Sequence, residues 1–406
     1  MNDRARQSID TIAVQGGLSA GRCDAAAPAV PPIVPSVGHV HPDLAGADQA
    51  LGYPGGRTPV DPRSFVYSRH GGPNQAALEE TIAALEGAQG AVSFSSGMAA
   101  LHAALLALVP SGGSVVASEQ LYGVTRTLLG HLSAGMNLHV RYADFLDLAA
   151  VRCAVEEAKP ACVLCEILTN PLARIVEIGE VGAIAHCAGA LLLVDNTFAT
   201  PVLLQPLGAG ADMVVHSTTK YINGHGDVLG GVVAGSGEAM ERVYQHRRVL
   251  GAVPSAFDCW LTLRGLRTLG LRMLRSCANA QRLAEWLAGH PRITRVYYPG
   301  LPDDRGHEKA KRLFRPDCFG AILSFEIGGL DRAGAFAFVS RLRLIRPVTS
   351  LGDVYTLIMH PASASHRALT PEQREAQGIT EGVLRLSAGI EDPADLIADL
   401  RAALEG

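Results

Sequence analysis

Aromatic and charged residues are both scarce in this sequence of 406 residues. Aromatic residues make up 5% and charged residues 18%, whereas hydrophobic residues make up 48%. A chain this apolar can bury a large core, which argues against global disorder. The low aromatic content, with Ala, Leu, Val and Gly dominating, favours layered α/β structure over an aromatic-rich β-sandwich.

Basic clusters and long apolar runs are absent as well. The net charge is −4 and no basic stripe is present, so the sequence lacks the electrostatic pattern of a nucleic-acid-binding protein. No apolar run reaches the roughly 18 residues that a membrane-spanning helix needs. The segment MNDRARQSID is not followed by the apolar stretch of a secretory signal. We therefore expect a cytoplasmic protein with no nucleic-acid or membrane partner.

The cysteines show no pattern of a metal site or a disulfide framework. There are eight, and they are scattered apart from one CxxC pair, Cys162 and Cys165, in the apolar run ACVLCEIL. Such a pair can serve redox or metal chemistry, but no second CxxC or Cys/His pair accompanies it. Residues three apart on a strand point to opposite faces. We predict core packing for both cysteines and no metal site.

The chain divides into three parts by composition and by the pattern of apolar residues. Residues 1–60 are rich in Ala, Pro and Gly and predict an irregular arm, docked on a neighbouring surface by its Ile, Val and Leu residues. Residues 61–260 alternate short apolar runs with helical patterns, which predicts a large domain with a mostly parallel sheet. Residues 261–406 predict a smaller α+β domain.

Several segments of the large part carry clear patterns. Helical spacing occurs in PNQAALEETIAALEG, GMAALHAALLALV, TRTLLGHLSAG and VGAIAHCAG. Strands are predicted for AVSFSS, GSVVASE, ACVLCEIL, ALLLVDNT and ADMVVHS. In the last part, ITRVYY, AILSFEIGG and VLRLSAGI predict strands, while LRMLRSCANAQRLAEWLAGH and PADLIADLRAAL predict helices.

Polar residues follow several of these strands, where ligands bind in open parallel sheets. Ser96 and Gly97 stand between a strand and a helix, where free N–H groups suit a phosphate, although a serine there is also an ordinary helix cap. Asp195 follows ALLLV, and a carboxylate there needs a cationic partner if it is buried. A surface Asp capping the next turn is an equally good interpretation of that residue.

The sequence has only four lysines, at positions 159, 220, 309 and 311. One of them, Lys220, directly follows a cluster of hydroxyl residues that includes Ser217 and Thr219. A lysine in a crowded pocket has a depressed pKa and can form a Schiff base, although an isolated loop lysine is more often simply solvated. Tyr122, in SEQLYGVTR, could stack on a ring. A phosphate cradle, a stacking ring, an acid and a lysine are together what pyridoxal 5′-phosphate requires.

The motifs that carry these residues resemble a known family. TIAVQGG, YSR, SSGMAA, YGVTRTL, LTNP, VDNTFATP, HSTTKYINGHGD, SLGDV, HPAS and RLSAGIED are similar to the Cys/Met-metabolism pyridoxal-phosphate enzymes. That family includes cystathionine γ-synthase, cystathionine γ-lyase, methionine γ-lyase and the O-acylhomoserine sulfhydrylases. The resemblance covers nearly the whole chain and implies the fold type I, aspartate aminotransferase-like α/β architecture.

The resemblance also implies roles for individual residues in cofactor binding. Lys220 would bind the cofactor aldehyde and move protons, and Asp195 would pair with the pyridinium nitrogen. Tyr122 would stack on the ring and act as an acid or base. The phosphate would be held by Ser96, Gly97, Met98, Ser217 and Thr219.

The remaining implied roles concern the substrate and the assembly. Arg385 would bind the substrate α-carboxylate in a bidentate fork, with Asn170 and Ser350 orienting the substrate and cofactor. Tyr67 and Arg69 would reach the phosphate of a neighbouring subunit. The resemblance therefore implies a homodimer or a homotetramer.

Three positions depart from the family pattern. Gly72 stands where Asn is usual, and Val124 stands where a cysteine follows the stacking Tyr-Gly of many lyases. After SLG the family pattern GVES is replaced by DVYT, so Tyr355 occupies the position of a glutamate near the distal end of the substrate.

We expect γ-elimination or γ-replacement on a sulfur-containing or O-acylated homoserine-type amino acid. The same residues would also support a β-lyase that releases pyruvate. A catalytically weak cofactor-binding scaffold is a third and more remote interpretation, because every catalytic residue type is present.

Overall fold

Two β-sheets organise the part of the chain that the structure describes, which is residues 7–18, 28–51 and 65–406 of a computed structural model. The larger sheet has seven strands, β1 (Gly90–Phe94), β2 (Ser114–Ser118), β3 (His139–Ala143), β4 (Cys162–Glu166), β5 (Leu191–Asp195), β6 (Met213–His216) and β7 (Gly231–Gly235). Their order is β1-β7-β6-β5-β4-β2-β3. Strand β7 runs antiparallel to β1 and β6, and the other pairs are parallel, which confirms the mostly parallel sheet.

The smaller sheet has five strands, β8 (Ile293–Tyr297), β9 (Ile322–Ile327), β10 (Arg346–Pro347), β11 (Leu357–Met359) and β12 (Val383–Ser387). Their order is β10-β11-β12-β9-β8, and only the β10–β11 pair is parallel. The three strands predicted for this part are confirmed. The domain boundaries proposed from the sequence stay predictions.

Helices cover the two sheets. In chain order they are α1 (Ile9–Gln15), α2 (Leu44–Leu51), α3 (Pro73–Glu86), α4 (Gly97–Leu108), α5 (Gly123–Met136), α6 (Leu148–Ala158), α7 (Ile178–Cys187), α8 (Thr200–Leu203), α9 (Gly237–Leu250), α10 (Ala256–Leu266), α11 (Leu269–Ala288), α12 (His307–Leu313), α13 (Arg332–Arg341), α14 (Pro371–Ala376) and α15 (Pro393–Glu405). No helix in the described ranges has both the length and the apolar character needed to cross a membrane.

Apolar side chains pack on both faces of the larger sheet, as expected for a parallel sheet covered on two sides. Along β4, Val163 and Cys165 belong to one apolar cluster, whereas Cys162 and Leu164 belong to the other. Both cysteines are buried and free. The prediction that this CxxC pair serves core packing is therefore confirmed.

The N-terminal segment is more regular than its composition predicted. Helix α1 begins after Ser8, whose side chain accepts a hydrogen bond from the backbone of Thr11, and it buries Ile12 and Ala13. Helix α2 is a second regular element within residues 1–60. A cap and one small apolar face were enough to form a helix despite the surrounding Pro and Gly. The segment YPGGRTPVDP lies outside the described residues.

Candidate active site

A cavity of about 810 Å³ opens at the carboxyl ends of strands β4, β5 and β6. Side chains from the smaller sheet and its loops complete its wall. Ten residues predicted from the sequence line this cavity, namely Ser96, Gly97, Met98, Tyr122, Asn170, Asp195, Ser217, Thr219, Lys220 and Arg385. The structure therefore brings these distant segments together at one cavity, while their roles stay predictions.

Two carboxylates meet at the strand ends on one wall of the cavity. Asp195, the last residue of β5, is paired in register with Glu166, the last residue of β4. Burial raises the pKa of both acids, that of Glu166 to about 8, and the negative charge of Asp195 adds to the shift of Glu166. A site with two poorly solvated acids favours a bound cation.

Backbone groups hold these two acids in place. The Asp195 Oδ1 atom accepts a hydrogen bond from the Thr197 N–H at 2.9 Å. Glu166 accepts hydrogen bonds from the N–H groups of Tyr122, at 2.6 Å, and Asn170, at 3.2 Å. Glu166 thus connects the loop of Tyr122, the residue expected to stack on the ring, to the loop of Asn170, which is expected to orient the substrate.

Lys220 lies in a tight turn after β6. Its Nζ atom donates a hydrogen bond to Ser350 Oγ at 2.9 Å. Burial and then the positive charge of Arg385 lower the pKa of Lys220, while the nearby carboxylate of Asp353 opposes that shift. A lowered pKa increases the fraction of neutral amine, which is the form that attacks a carbonyl.

A buried arginine fixes the backbone of this turn. The guanidinium of Arg272, on α11, donates to the carbonyl oxygens of Tyr221 at 2.6 Å and Ile222 at 3.2 Å. It also donates to Gly265 O at 2.8 Å. The position of Lys220 therefore depends on a helix that begins nearly fifty residues later in the sequence.

Helix α4 begins against the end of β6. Ser96 caps the helix through a hydrogen bond from the Ala99 N–H at 3.1 Å. A Cβ atom placed on Gly97 would lie only 2.7 Å from Ser217 Cβ, so the two segments are in close contact. The first N–H groups of α4 and the Ser217 side chain therefore border one corner of the cavity, which is a favourable place for a phosphate.

Thr219 stands at the same corner but already has partners. Its hydroxyl donates to Gly230 O at 3.2 Å and accepts from Gly230 N at 3.0 Å. A contact between this hydroxyl and a phosphate would replace the donated bond.

Arg385 is buried on β12, opposite the lysine turn. It donates to Asn170 Oδ1 at 2.8 Å and to Ser350 O at 2.9 Å, and its Nε atom has no partner. Among the described residues it forms no ion pair. Burial lowers its pKa to about 10, so it stays charged near neutral pH. A buried guanidinium with a free N–H can bind a carboxylate.

Four predicted residues, Tyr67, Arg69, Ser350 and Tyr355, lie outside the cavity wall. Arg69 donates to Arg248 O at 2.8 Å and packs 5.5 Å from the ring centroid of Tyr67, which is exposed. The ring of Tyr355 packs against Arg346 at 4.4 Å. Ser350 does not line the wall but touches both Lys220 and Arg385.

The sequence interpretation missed several residues of the site. Glu166 ends ACVLCE just as Asp195 ends ALLLVD, so the same signal was available for it. Asp353 and Arg272 act through contacts made by distant segments, and no local pattern marks them. Arg367 and Phe198 also line the cavity without a signal in the sequence.

Comparison with known proteins identifies the family of this chain. The family described as Cys/Met metabolism PLP-dependent enzyme matches residues 10–405. The chain belongs to this family. It is therefore a PLP-dependent enzyme of sulfur amino-acid metabolism with the fold type I α/β architecture, as the sequence predicted.

Members of the family with different names have similar identity to the chain. An O-succinylhomoserine sulfhydrylase from Pseudomonas aeruginosa is 45% identical over 84% of this chain and 83% of its own length. An L-methionine gamma-lyase from Fusobacterium nucleatum subsp. polymorphum is 42% identical over 86% of this chain and 89% of its own length. The crystal structure of cystathionine gamma synthase from Xanthomonas oryzae pv. oryzae in complex with cystathionine superimposes with a TM-score of 0.90. It is 40% identical, and the match covers 98% of both chains.

The residues of the cavity fit the cofactor that this family uses. Asp195 would pair with the pyridine nitrogen, since its own pKa is raised by burial and a cation would relieve that cost. The phosphate would bind at the start of α4 beside Ser217, and Lys220 would hold the aldehyde carbon. Tyr122 lines the cavity and is 37% exposed, which leaves its ring free to stack.

Proposed function

We propose that this enzyme catalyses elimination or replacement at the γ-carbon of a four-carbon amino acid that carries a sulfur or acyloxy group. One observation carries the proposal, which is that Ser350 contacts Lys220 through its hydroxyl and Arg385 through its carbonyl. A substrate held by its α-carboxylate on Arg385 would therefore have its α-carbon close to the amine of Lys220. Binding and proton transfer are linked by a single residue.

The chain supplies the proton transfers. When bound, pyridoxal phosphate withdraws electrons from the α-carbon of an amino acid. Lys220, with its lowered pKa, would take the α-proton, pass it to the cofactor carbon C4′ and, as a neutral amine again, take a proton from Cβ. Tyr122 or Lys220 gives a proton to the departing γ-substituent. Without a thiol the product hydrolyses to a 2-oxo acid and ammonia, and with a thiol a thioether forms.

A product assay tests this function. The purified enzyme is incubated separately with methionine, homocysteine, cystathionine, cysteine and O-acetylhomoserine, with and without added thiol. We expect 2-oxobutyrate without thiol, or a new thioether only with thiol. Pyruvate from cystathionine or cysteine would overturn the proposal in favour of β-elimination. Lys220→Ala is the matched control, and it should lose both turnover and the absorbance of covalently bound cofactor.

We also propose that Tyr67 and Arg69 complete the site of a neighbouring subunit. Both side chains are exposed and lie outside the cavity of their own chain, which supports a role elsewhere. The dimeric or tetrameric assembly and the cytoplasmic location expected from the sequence stay predictions.

A further inference from the structure

The cavity carries a third cation at a point that the proposed reaction does not use. The cationic residues that line it are Lys220, Arg385 and Arg367, and its acids are Glu166 and Asp195. Lys220 and Arg385 are assigned above to proton transfer and to the α-carboxylate, and both acids lie on the cofactor side. Arg367 therefore has no role in the chemistry described so far.

The backbone of Arg367 is firmly placed beside the mouth of the cavity. The preceding residue, His366, is buried and donates its N–H to Pro361 O at 3.0 Å. A Cβ atom on Gly123 would lie 2.3 Å from Ser365 O, so this segment presses against the start of α5 next to Tyr122. Arg367 is thus held near the stacking ring, on the open side of the site.

The side chain of Arg367 is exposed, and no hydrogen bond or ion pair involves it among residues 7–18, 28–51 and 65–406. Two arginines of nearby segments, in contrast, have partners within the protein. Arg374 pairs with Glu381 at 3.3 Å. Arg126 donates to Glu119 O at 3.2 Å and packs 4.0 Å from the ring centroid of Tyr142. Arg367 is the cation of this group that remains available to a ligand in the cavity.

We propose that Arg367 is a specificity-determining residue that favours substrates whose γ-substituent ends in a carboxylate. This rests on the proposed function, since the substrate must be anchored by its α-carboxylate on Arg385. The γ-substituent would then extend past Tyr122 towards the mouth, where a dicarboxylic half-ester on the γ-oxygen would meet Arg367. During reaction the Cγ–O bond breaks, and the dicarboxylate leaves with the bonding electron pair.

The test compares two esters that differ in one terminal carboxylate, O-succinylhomoserine and O-acetylhomoserine. The ratio of their kcat/KM values measures the preference for the anionic group. Arg367→Gln should lower this ratio about two- to fivefold, as expected for one solvent-accessible charge pair. Arg367→Lys should keep most of the preference. Arg152→Gln removes an exposed arginine on α6 and serves as the charge-matched control, with the ratio unaltered.

Ionic strength gives a second readout that a structural role would not produce. Because Arg367 is exposed, 1 M salt should reduce the preference of the unmodified enzyme and have little effect on the ratio in Arg367→Gln. A ratio that Arg367→Gln leaves unchanged, or an equal loss on both esters, would overturn the assignment of Arg367 while the proposed function stands. Failure of the unmodified enzyme to act on either ester would overturn the assignment of Arg367, whereas the proposed function would fall only if methionine, homocysteine and cystathionine also gave no 2-oxobutyrate and no thioether.

Discussion

Asp353 is the residue whose role was least visible in the sequence. It follows SLG, where the family pattern has glycine, and it is only 8% exposed. Its Oδ1 atom has no hydrogen-bond partner, and burial raises its pKa while the charge of Lys220 opposes that change. Val354 next to it donates its N–H to Gly224 O at 3.0 Å, which holds the acid against the lysine turn. Asp353 therefore stabilises the protonated form of Lys220.

Replacing Asp353 with Asn should make the lysine easier to deprotonate. The carboxylate favours the ammonium form, so its loss lowers the pKa of Lys220 further. After removal of the cofactor, the rate of covalent rebinding of pyridoxal phosphate should rise at a lower pH than in the unmodified protein. Stopped-flow absorbance over a pH series measures this midpoint. A midpoint that stays in place or moves to higher pH would refute the role, and the exposed Asp303→Asn is the control.

Single residues were predictable where a polar or charged group stood in a local sequence that otherwise predicts burial. Asp195 stood out because a carboxylate directly after five apolar residues needs a partner. The neighbour of Asp195 in space, Glu166, could be assigned only once the pairing of β4 with β5 was known. Arg272 and Arg367 sit in ordinary helical or loop patterns, so their contacts come from tertiary structure alone.

At the scale of elements, the close contact between the start of α4 and the end of β6 shapes the corner where we expect the phosphate to bind. Gly97→Ala would place a methyl group 2.7 Å from Ser217 Cβ and force the two segments apart. Overpacking of this kind costs about 1–3 kcal/mol. We expect the affinity for pyridoxal phosphate to fall about tenfold or more, measured by equilibrium titration of the apoprotein.

Gly130→Ala is the matched control for that experiment. Gly130 lies in α5, is exposed, and has nothing within 4 Å of an added Cβ atom. Alanine there should leave cofactor affinity unchanged and stabilise the protein by up to about 1 kcal/mol, because glycine is the poorer helix former. Equal cofactor affinity in Gly97→Ala and Gly130→Ala would show that the close contact has no role in binding.

Elements with strong periodicity were predictable and those with mixed patterns were not. β4, β5 and β6 are short apolar runs, and all three were expected. β3 alternates apolar and polar residues in HVRYA, with His139 exposed, and was missed. The sequence also could not show that β7 inserts antiparallel between β1 and β6, because strand order depends on contacts between distant segments.

At the scale of the whole molecule, Tyr67 and Arg69 predict a site shared between subunits. A Lys220→Ala chain and an Arg69→Ala chain should each be inactive or nearly so. A mixed oligomer, however, contains one site with an intact lysine and an intact arginine from the other chain. Co-refolding the two variants should therefore restore activity, measured as product formation after mixing.

The controls for this mixing experiment use each variant refolded alone under the same conditions. Activity that stays at the sum of the two separate variants would show that Arg69 acts within its own chain or not at all. Size-exclusion chromatography of each variant would confirm that the oligomer forms.

The expected cofactor residues and two of the proposed substrate residues lie on different sheets, which bears on how such enzymes diversify. The residues expected to hold the cofactor, such as Asp195, Ser217 and Lys220, end or follow strands of the larger sheet. Two residues proposed to meet the substrate, Arg385 and Arg367, come from the smaller sheet and its loops. Substitutions in the second group can change substrate choice and leave the cofactor site intact. Relatives at 45%, 42% and 40% identity to the chain bear three different enzyme names, as expected if substrate choice changes through such substitutions.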